Sequence, residues 1–178
     1  ILKANGKKVI KTQIINDRGI HICKSMIAWK LFGENKIPSD NDIKGDHFVG
    51  KFYVLFNQKY NIQVERLMKE GLTEKVAKEN APIFIKAKEL LKKWEANDKE
   101  VRELWGRMNN WVYDGFDSTY KKLGVNFDCY YYESETYLLG KKIIKEGISK
   151  GVFYSKKDKS VWVDLRPEGL DEKLLLRS

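Results

Sequence analysis

A chain of 178 residues with 42% apolar and 33% charged residues has the composition of a folded globular domain, neither disordered nor fibrous. Its formal charge of +9 fits a polyanionic partner as well as it fits plain lysine solubility, and the lysines are scattered, not gathered into one arm. Cys23 and Cys129 lie far apart without C-x-x-C or matching histidine spacing, so no metal site and no disulfide framework is expected. Two reduced thiols, no signal peptide and no apolar run near the roughly 20 residues of a membrane span point to a cytoplasmic protein with no membrane partner.

In chain order, Ile1 to Gly6 reads as the tail of a helix stopped at Asn5-Gly6. The first residue is not methionine, so the chain is expected to begin inside a longer protein. Val9 to Ile15, "VIKTQII", is rich in β-branched residues and predicts a strand. Asn16-Asp17-Arg18-Gly19 is turn chemistry, and "IHICKSMIAWKLFG" predicts a helix stopped at Gly33. Ligands of α/β sheets collect at the carboxyl ends of strands, which singles out Asn16, Asp17 and His21.

Pro38 to Gly45 is a polar connection. Asp46 to Gly71 reads as a long helix with a break expected inside it. Thr73 to Asn97 is helical and lysine-rich, with Pro82 either opening a segment or kinking one. Val101, Leu104, Trp105, Met108, Trp111, Val112, Phe116, Tyr120 and Leu123 follow i, i+3, i+4 steps up to Gly124. The tryptophans and Met108 in this stripe are expected to pack against neighbouring helices, not to form a ligand platform.

"NFDCYYYES" predicts a second strand, and from Ser134 a helix carries Leu138, Lys141, Ile144 and Ile148 in register. "VFYSKKDKSVWVDL" predicts a hairpin about a lysine-aspartate turn, and "EKLLLRS" a third strand. The strands near 9–15 and 127–132 are expected side by side in one parallel sheet. Between them lies a helical insertion of about 45–125, far beyond ordinary crossover length.

"IINDRGIHICKSM" and "YYYESETYLLG" together resemble the arginyl-tRNA synthetases, class I aminoacyl-tRNA synthetases. "LWGRMNNWVYDGFDSTYKKLGVNFD", "VWVDL" and "DEKLLLRS" extend the likeness along most of the chain. The resemblance implies that residues 1–178 are an internal fragment of the catalytic domain: α/β, a partial Rossmann-like core with a large helical insertion and a small antiparallel strand region near the C-terminus. It implies a parent enzyme that uses ATP and Mg2+ to make arginyl-adenylate and passes the arginine to tRNA(Arg). The His-x-Gly-His and Lys-Met-Ser-Lys-Ser type motifs that handle the phosphates do not occur here. No catalytic residue, no bound cofactor and no activity of the chain alone are therefore expected.

What remains is substrate selection. Glu133 matches the glutamate of the family's Gly-Glu-Ser type motif, which implies a receptor for the arginine guanidinium, with Tyr132 in place of a common glycine. A carboxylate takes two parallel hydrogen bonds from a guanidinium fork. Glu133 and Glu135 also suit a helix N-terminus by charge alone; the resemblance assigns the ligand role to Glu133 and the helix-end role to Glu135. Ser134 is expected to cap that helix. Asn16, Asp17, Gly19 and His21 match the family's Asp-x-Gly-x-Gln-like turn, with His21 where glutamine is common. Asp17 and Asn16 suit contact with arginine, Asp17 with its ammonium; a plain turn with an N-capping side chain explains them equally well. Gly19, His21, Ser134 and Tyr132 are candidate pocket-lining residues, and His47 is expected at the surface or in a structural role.

Two other readings stand beside this one: an independent basic nucleic-acid-binding module and a helical protein-interaction domain. No aromatic-basic interleaving on a strand face supports the first. For the excised chain, weak non-specific binding to nucleic acid is expected from charge.

Overall fold

The computed structural model describes residues 1–176, the side chain of Asn41 excepted. The chain divides into two compact units, residues 1–12 with 17–129, and residues 13–16 with those from 130 onward.

The first unit is helical. Ile1 to Lys7 form a single turn in which Gly6, at φ 73°, closes the end: Gly6 N–H donates to Lys3 and Lys7 N–H to Leu2. Helix α1, Ile20–Phe32, buries Cys23 and every residue from Ser25 to Trp29, and packs on helices that follow it in the chain. Helix α2, Gly45–Lys69, runs 25 residues without interruption. The break expected inside 46–71 is absent. The segment holds no proline, and its one internal glycine, Gly50, faces open space, where it weakens the helix without interrupting it.

Helix α3, Glu74–Asn80, ends at Ala81, and α4, Pro82–Glu95, begins at once. Pro82 opens a helix and does not kink one, because at the first helical position its missing N–H costs nothing. Ile83, Ala87, Leu90 and Trp94 form the buried stripe of α4. Helix α5, Lys99–Leu123, starts with Asp98 accepting from Val101 N–H at 3.1 Å and stops at Gly124, φ 65°. It lies close against α2: a Cβ on Gly45 would strike the Trp111 backbone, and one on Gly115 would strike the Asp46 side chain. Asp46 is held there by Lys44 Nζ at 2.8 Å. His47 is exposed, and its backbone N–H donates to the Asp46 carboxylate.

The second unit carries the sheets. Strands β1, Thr12–Ile15, and β2, Cys129–Tyr132, pair in a small parallel sheet, as expected from sequence but shorter. Residues 9–11 lie outside the strand. Lys11 and Asp128 join just before it: Asp128 N–H donates to Lys11 O at 2.8 Å and Lys11 N–H to Asp128 Oδ2 at 2.8 Å. Helix α6, Glu133–Ser149, follows β2 directly, and Gly147 lets it press on Phe153.

Strands β3, Phe153–Ser155, β4, Val161–Val163, and β5, Lys173–Leu176, form an antiparallel sheet in that order. Tyr154 faces Trp162 in the first pair, and the register shifts between Val161 and Trp162 in the second. The hairpin turn holds Lys159 at φ 63° while the Asp158 carboxylate accepts from Ser160 N–H at 3.0 Å. The expected third strand is thus present over its described part; Arg177 and Ser178 lie outside the described residues.

Candidate functional site

The turn after β1 is built from one strained glycine and one buried aspartate. Gly19 is the N-cap of α1 at φ 101°, ψ −176°, a backbone region essentially reserved for glycine. No atom lies within 4 Å of where its Cβ would stand, so this conformation, not a close approach, is what demands glycine. The N-cap position of α1 is taken by Gly19, not by Asn16 or Asp17.

Asp17 is instead anchored to α5. It is 2% exposed. Its carbonyl accepts from Trp105 Nε1 at 2.6 Å and from Asn109 Nδ2 at 3.0 Å, and its Oδ2 accepts from the Tyr113 hydroxyl at 3.0 Å. Residues 105, 109 and 113 are spaced i, i+4, i+8, so one face of α5 holds the whole residue.

Next to it, the Arg18 guanidinium meets Glu95 at 3.1 Å and lies 5.3 Å from the centroid of Trp94. Arg102 stacks on Trp94 at 3.5 Å and donates to its carbonyl. Trp94 in turn meets Trp105 edge-on at 5.5 Å. The turn is therefore fixed to α4 and α5 by aromatic, cationic and hydrogen-bonded contacts at once.

His21 is exposed at the start of α1, with Nδ1 3.4 Å from the Tyr53 hydroxyl. Cys23, one turn into α1, has its thiol pushed up to about 12, first by burial and then by the charge of Glu95, against the pull of Arg18. It is an inert packing residue at neutral pH.

Asn16 is exposed directly after β1. Glu133, half-buried, is the first residue of α6 directly after β2. Because β1 and β2 are parallel neighbours, both residues leave the sheet at its carboxyl edge. Tyr132 is the N-cap of α6 in extended conformation, and Ser134 is the second helical residue. Ser134 does not hold the capping position expected for it, because the N-cap lies two residues earlier, at Tyr132. Glu135 is exposed in the same first turn, where both carboxylates suit the helix N-terminus. Tyr130 and Tyr131 are 40% and 48% exposed.

Sequence reasoning missed Trp105, Asn109 and Tyr113 as partners of Asp17. One signal was available: Asn109 is polar yet 5% exposed, beside the apolar stripe of α5. The tryptophans and Met108 do pack as expected: Met108 is 1% exposed, and Trp111 meets Phe48 and Trp29 edge-on. Trp105 adds a hydrogen bond to that packing. Among the described residues no group of three His, Cys, Asp or Glu stands close enough to hold a metal ion. Among the described residues no helix is long and apolar enough to cross a membrane.

No family model matches the chain. Curated relatives do. The chain is 58% identical over all 178 residues to a protein named arginine–tRNA ligase from Flavobacterium psychrophilum. It is 56% identical over 177 residues to one of the same name from Bacteroides thetaiotaomicron, and 55% over 178 residues to one from Parabacteroides distasonis. The chain is a homologue of arginine–tRNA ligases. It spans about 30% of the length of these relatives, all or nearly all of it aligned. Glu133, Asn16, Asp17 and the α5 residues that hold Asp17 all lie inside the stretch shared with the Flavobacterium and Parabacteroides ligases.

Proposed function

We propose that the protein carrying this chain is an arginine–tRNA ligase of class I, activating L-arginine with ATP and passing it to tRNA(Arg), and that this chain supplies part of the amino-acid pocket. The observation that carries the proposal is identity above half along the entire chain to proteins of that name. The parallel β1–β2 pair with a helix after each strand fits part of a Rossmann-like core.

In this account Glu133 receives the guanidinium. It is a half-buried side chain at a helix N-terminus, and the two oxygens of a carboxylate suit the planar fork. A substrate lacking the fork forgoes those two parallel hydrogen bonds, the basis of selection in this account. Asn16, at the same sheet edge, offers an amide to the polar groups of the bound amino acid. Asp17 acts chiefly by position: with 2% exposure and its carboxylate taking the Tyr113 hydroxyl, it fixes the turn from which Asn16 projects. Gly19 makes the turn possible, while Tyr132 and Ser134, beside Glu133 in the same unit, are candidates for the pocket wall.

ATP and Mg2+ belong to the whole enzyme in this reading. The described residues offer no metal-holding cluster, so no step of phosphate chemistry is placed on them. The chain alone is proposed to be inactive and to bind nucleic acid only weakly. The test is aminoacylation: the full-length protein should charge a tRNA(Arg) transcript with labelled arginine, and the 178-residue chain should not. Charging with a different amino acid by the full-length protein would overturn the reading.

A further inference from the structure

Three side chains of α5 converge on Asp17, but they do not take the same atom. Trp105 Nε1 and Asn109 Nδ2 donate to its backbone carbonyl, at 2.6 and 3.0 Å. The Tyr113 hydroxyl donates to Oδ2 of its side chain, at 3.0 Å. The first two bonds fix the path of the main chain. The third fixes the side-chain rotamer, because an oxygen tied to a half-buried phenol no longer swings between staggered positions.

The platform behind these donors is stiff. Trp105 meets Trp94 edge-on at 5.5 Å, Trp94 is 1% exposed, and Asn109 is 5% exposed. On another face α5 lies so close to α2 that a Cβ on Gly115 would strike Asp46. A turn aspartate ordinarily lies at the surface, and burying a carboxyl group costs stability that a plain turn gains nothing from. Asp17, 2% exposed, accepts that cost at the carboxyl end of β1, where ligands of parallel sheets collect.

We propose that Tyr113 is a positioning residue for the amino-acid substrate: through the Asp17 side chain it holds the turn from which Asn16 projects in the one conformation that binds arginine. Tyr113 touches no substrate in this account and moves no proton. The inference rests on the reading that the parent protein binds arginine at this turn, and it assigns a kinetic role to one α5 hydroxyl that packing does not require.

The experiment uses the full-length protein, with arginine and ATP varied separately in aminoacylation. Tyr113→Phe removes the hydroxyl and keeps the ring. It should raise the KM for arginine by about 5- to 100-fold, with the KM for ATP and kcat at saturating arginine close to parental. Trp111→Phe, which alters the packing of α5 against Phe48 and Trp29, should lower the melting temperature and leave the KM for arginine unchanged. Tyr113 acts through a single group, so in an Asp17→Ala background the same Tyr113→Phe change should raise the KM for arginine no more than about twofold further. A parental KM for arginine in Tyr113→Phe would overturn the proposal. So would an equal rise in both KM values, or a full-sized effect of Tyr113→Phe without the Asp17 side chain. Charging of tRNA(Arg) with arginine by the unaltered protein, measured alongside, reads the underlying functional proposal separately.

Discussion

The indole of Trp105 donates to the backbone carbonyl of Asp17 at 2.6 Å, across 88 residues of sequence. Asn109 donates to the same carbonyl one helical turn later. A carbonyl has two lone pairs, and α5 fills both. Trp105→Phe or Asn109→Leu should each destabilise the protein by about 1–3 kcal/mol, read from urea unfolding. The two share one acceptor, so the double variant should depart from the sum of the singles by more than the roughly 0.5 kcal/mol seen for independent sites. Strict additivity would show that the two donors do not act on a common group.

Gly19 and Gly124 both have positive φ, but in different regions. Gly124, at φ 65° and ψ 25°, sits where an L-residue is strained by about 1–2 kcal/mol. Gly19, at φ 101° and ψ −176°, sits where only glycine is comfortable. Gly19→Ala should therefore destabilise more than Gly124→Ala in thermal melts, although neither added methyl meets a neighbour. It should also weaken arginine binding in the full-length protein, because the turn holding Asn16 must shift.

The two cysteines should separate by reactivity. Cys23 is buried with its thiol raised from 9.0 to about 12, while Cys129 is only half-buried. A thiol reagent at pH 8 should modify Cys129 first and reach Cys23 only on unfolding. The folded value lies above the unfolded one, so the protonated thiol contributes stability that is complete below pH 9 and lost as pH rises toward 12. Cys23→Ala should flatten the alkaline loss of stability over that window, followed by urea titration at each pH.

Much of this architecture was legible in the sequence because local and long-range signals agreed. The stripe from Val101 to Leu123 ends at Gly124 and became α5, and the two strand-turn-helix passages became β1–α1 and β2–α6. Three features were not legible. The continuity of α2 depends on its packing against α1 and α5, which overrides the weak cost of Gly50. The first residue of α6 is Glu133, because Tyr132 takes the N-cap without a side-chain bond and local preference for serine decides nothing. The hold of α5 on Asp17 joins residues about ninety positions apart, and no local pattern reports such a contact. For the candidate site, Glu133 was proposed through family likeness and Asn16 first through its place after a strand, and the parallel pairing of β1 and β2 brings both to one sheet edge.

The most direct measurement is arginine affinity in the full-length protein with Glu133→Gln and Glu135→Gln, each compared with the parent by calorimetry. Glutamine keeps the size of the side chain and removes its charge. Glu133→Gln should weaken arginine binding by about 2–5 kcal/mol, the range for removing one partner of a buried charge pair, with ATP affinity nearly unchanged. Glu135→Gln, exposed two residues further along α6, should cost arginine binding little. Parental arginine affinity in Glu133→Gln, or a larger loss in Glu135→Gln, would contradict the assignment of Glu133 as the guanidinium receptor.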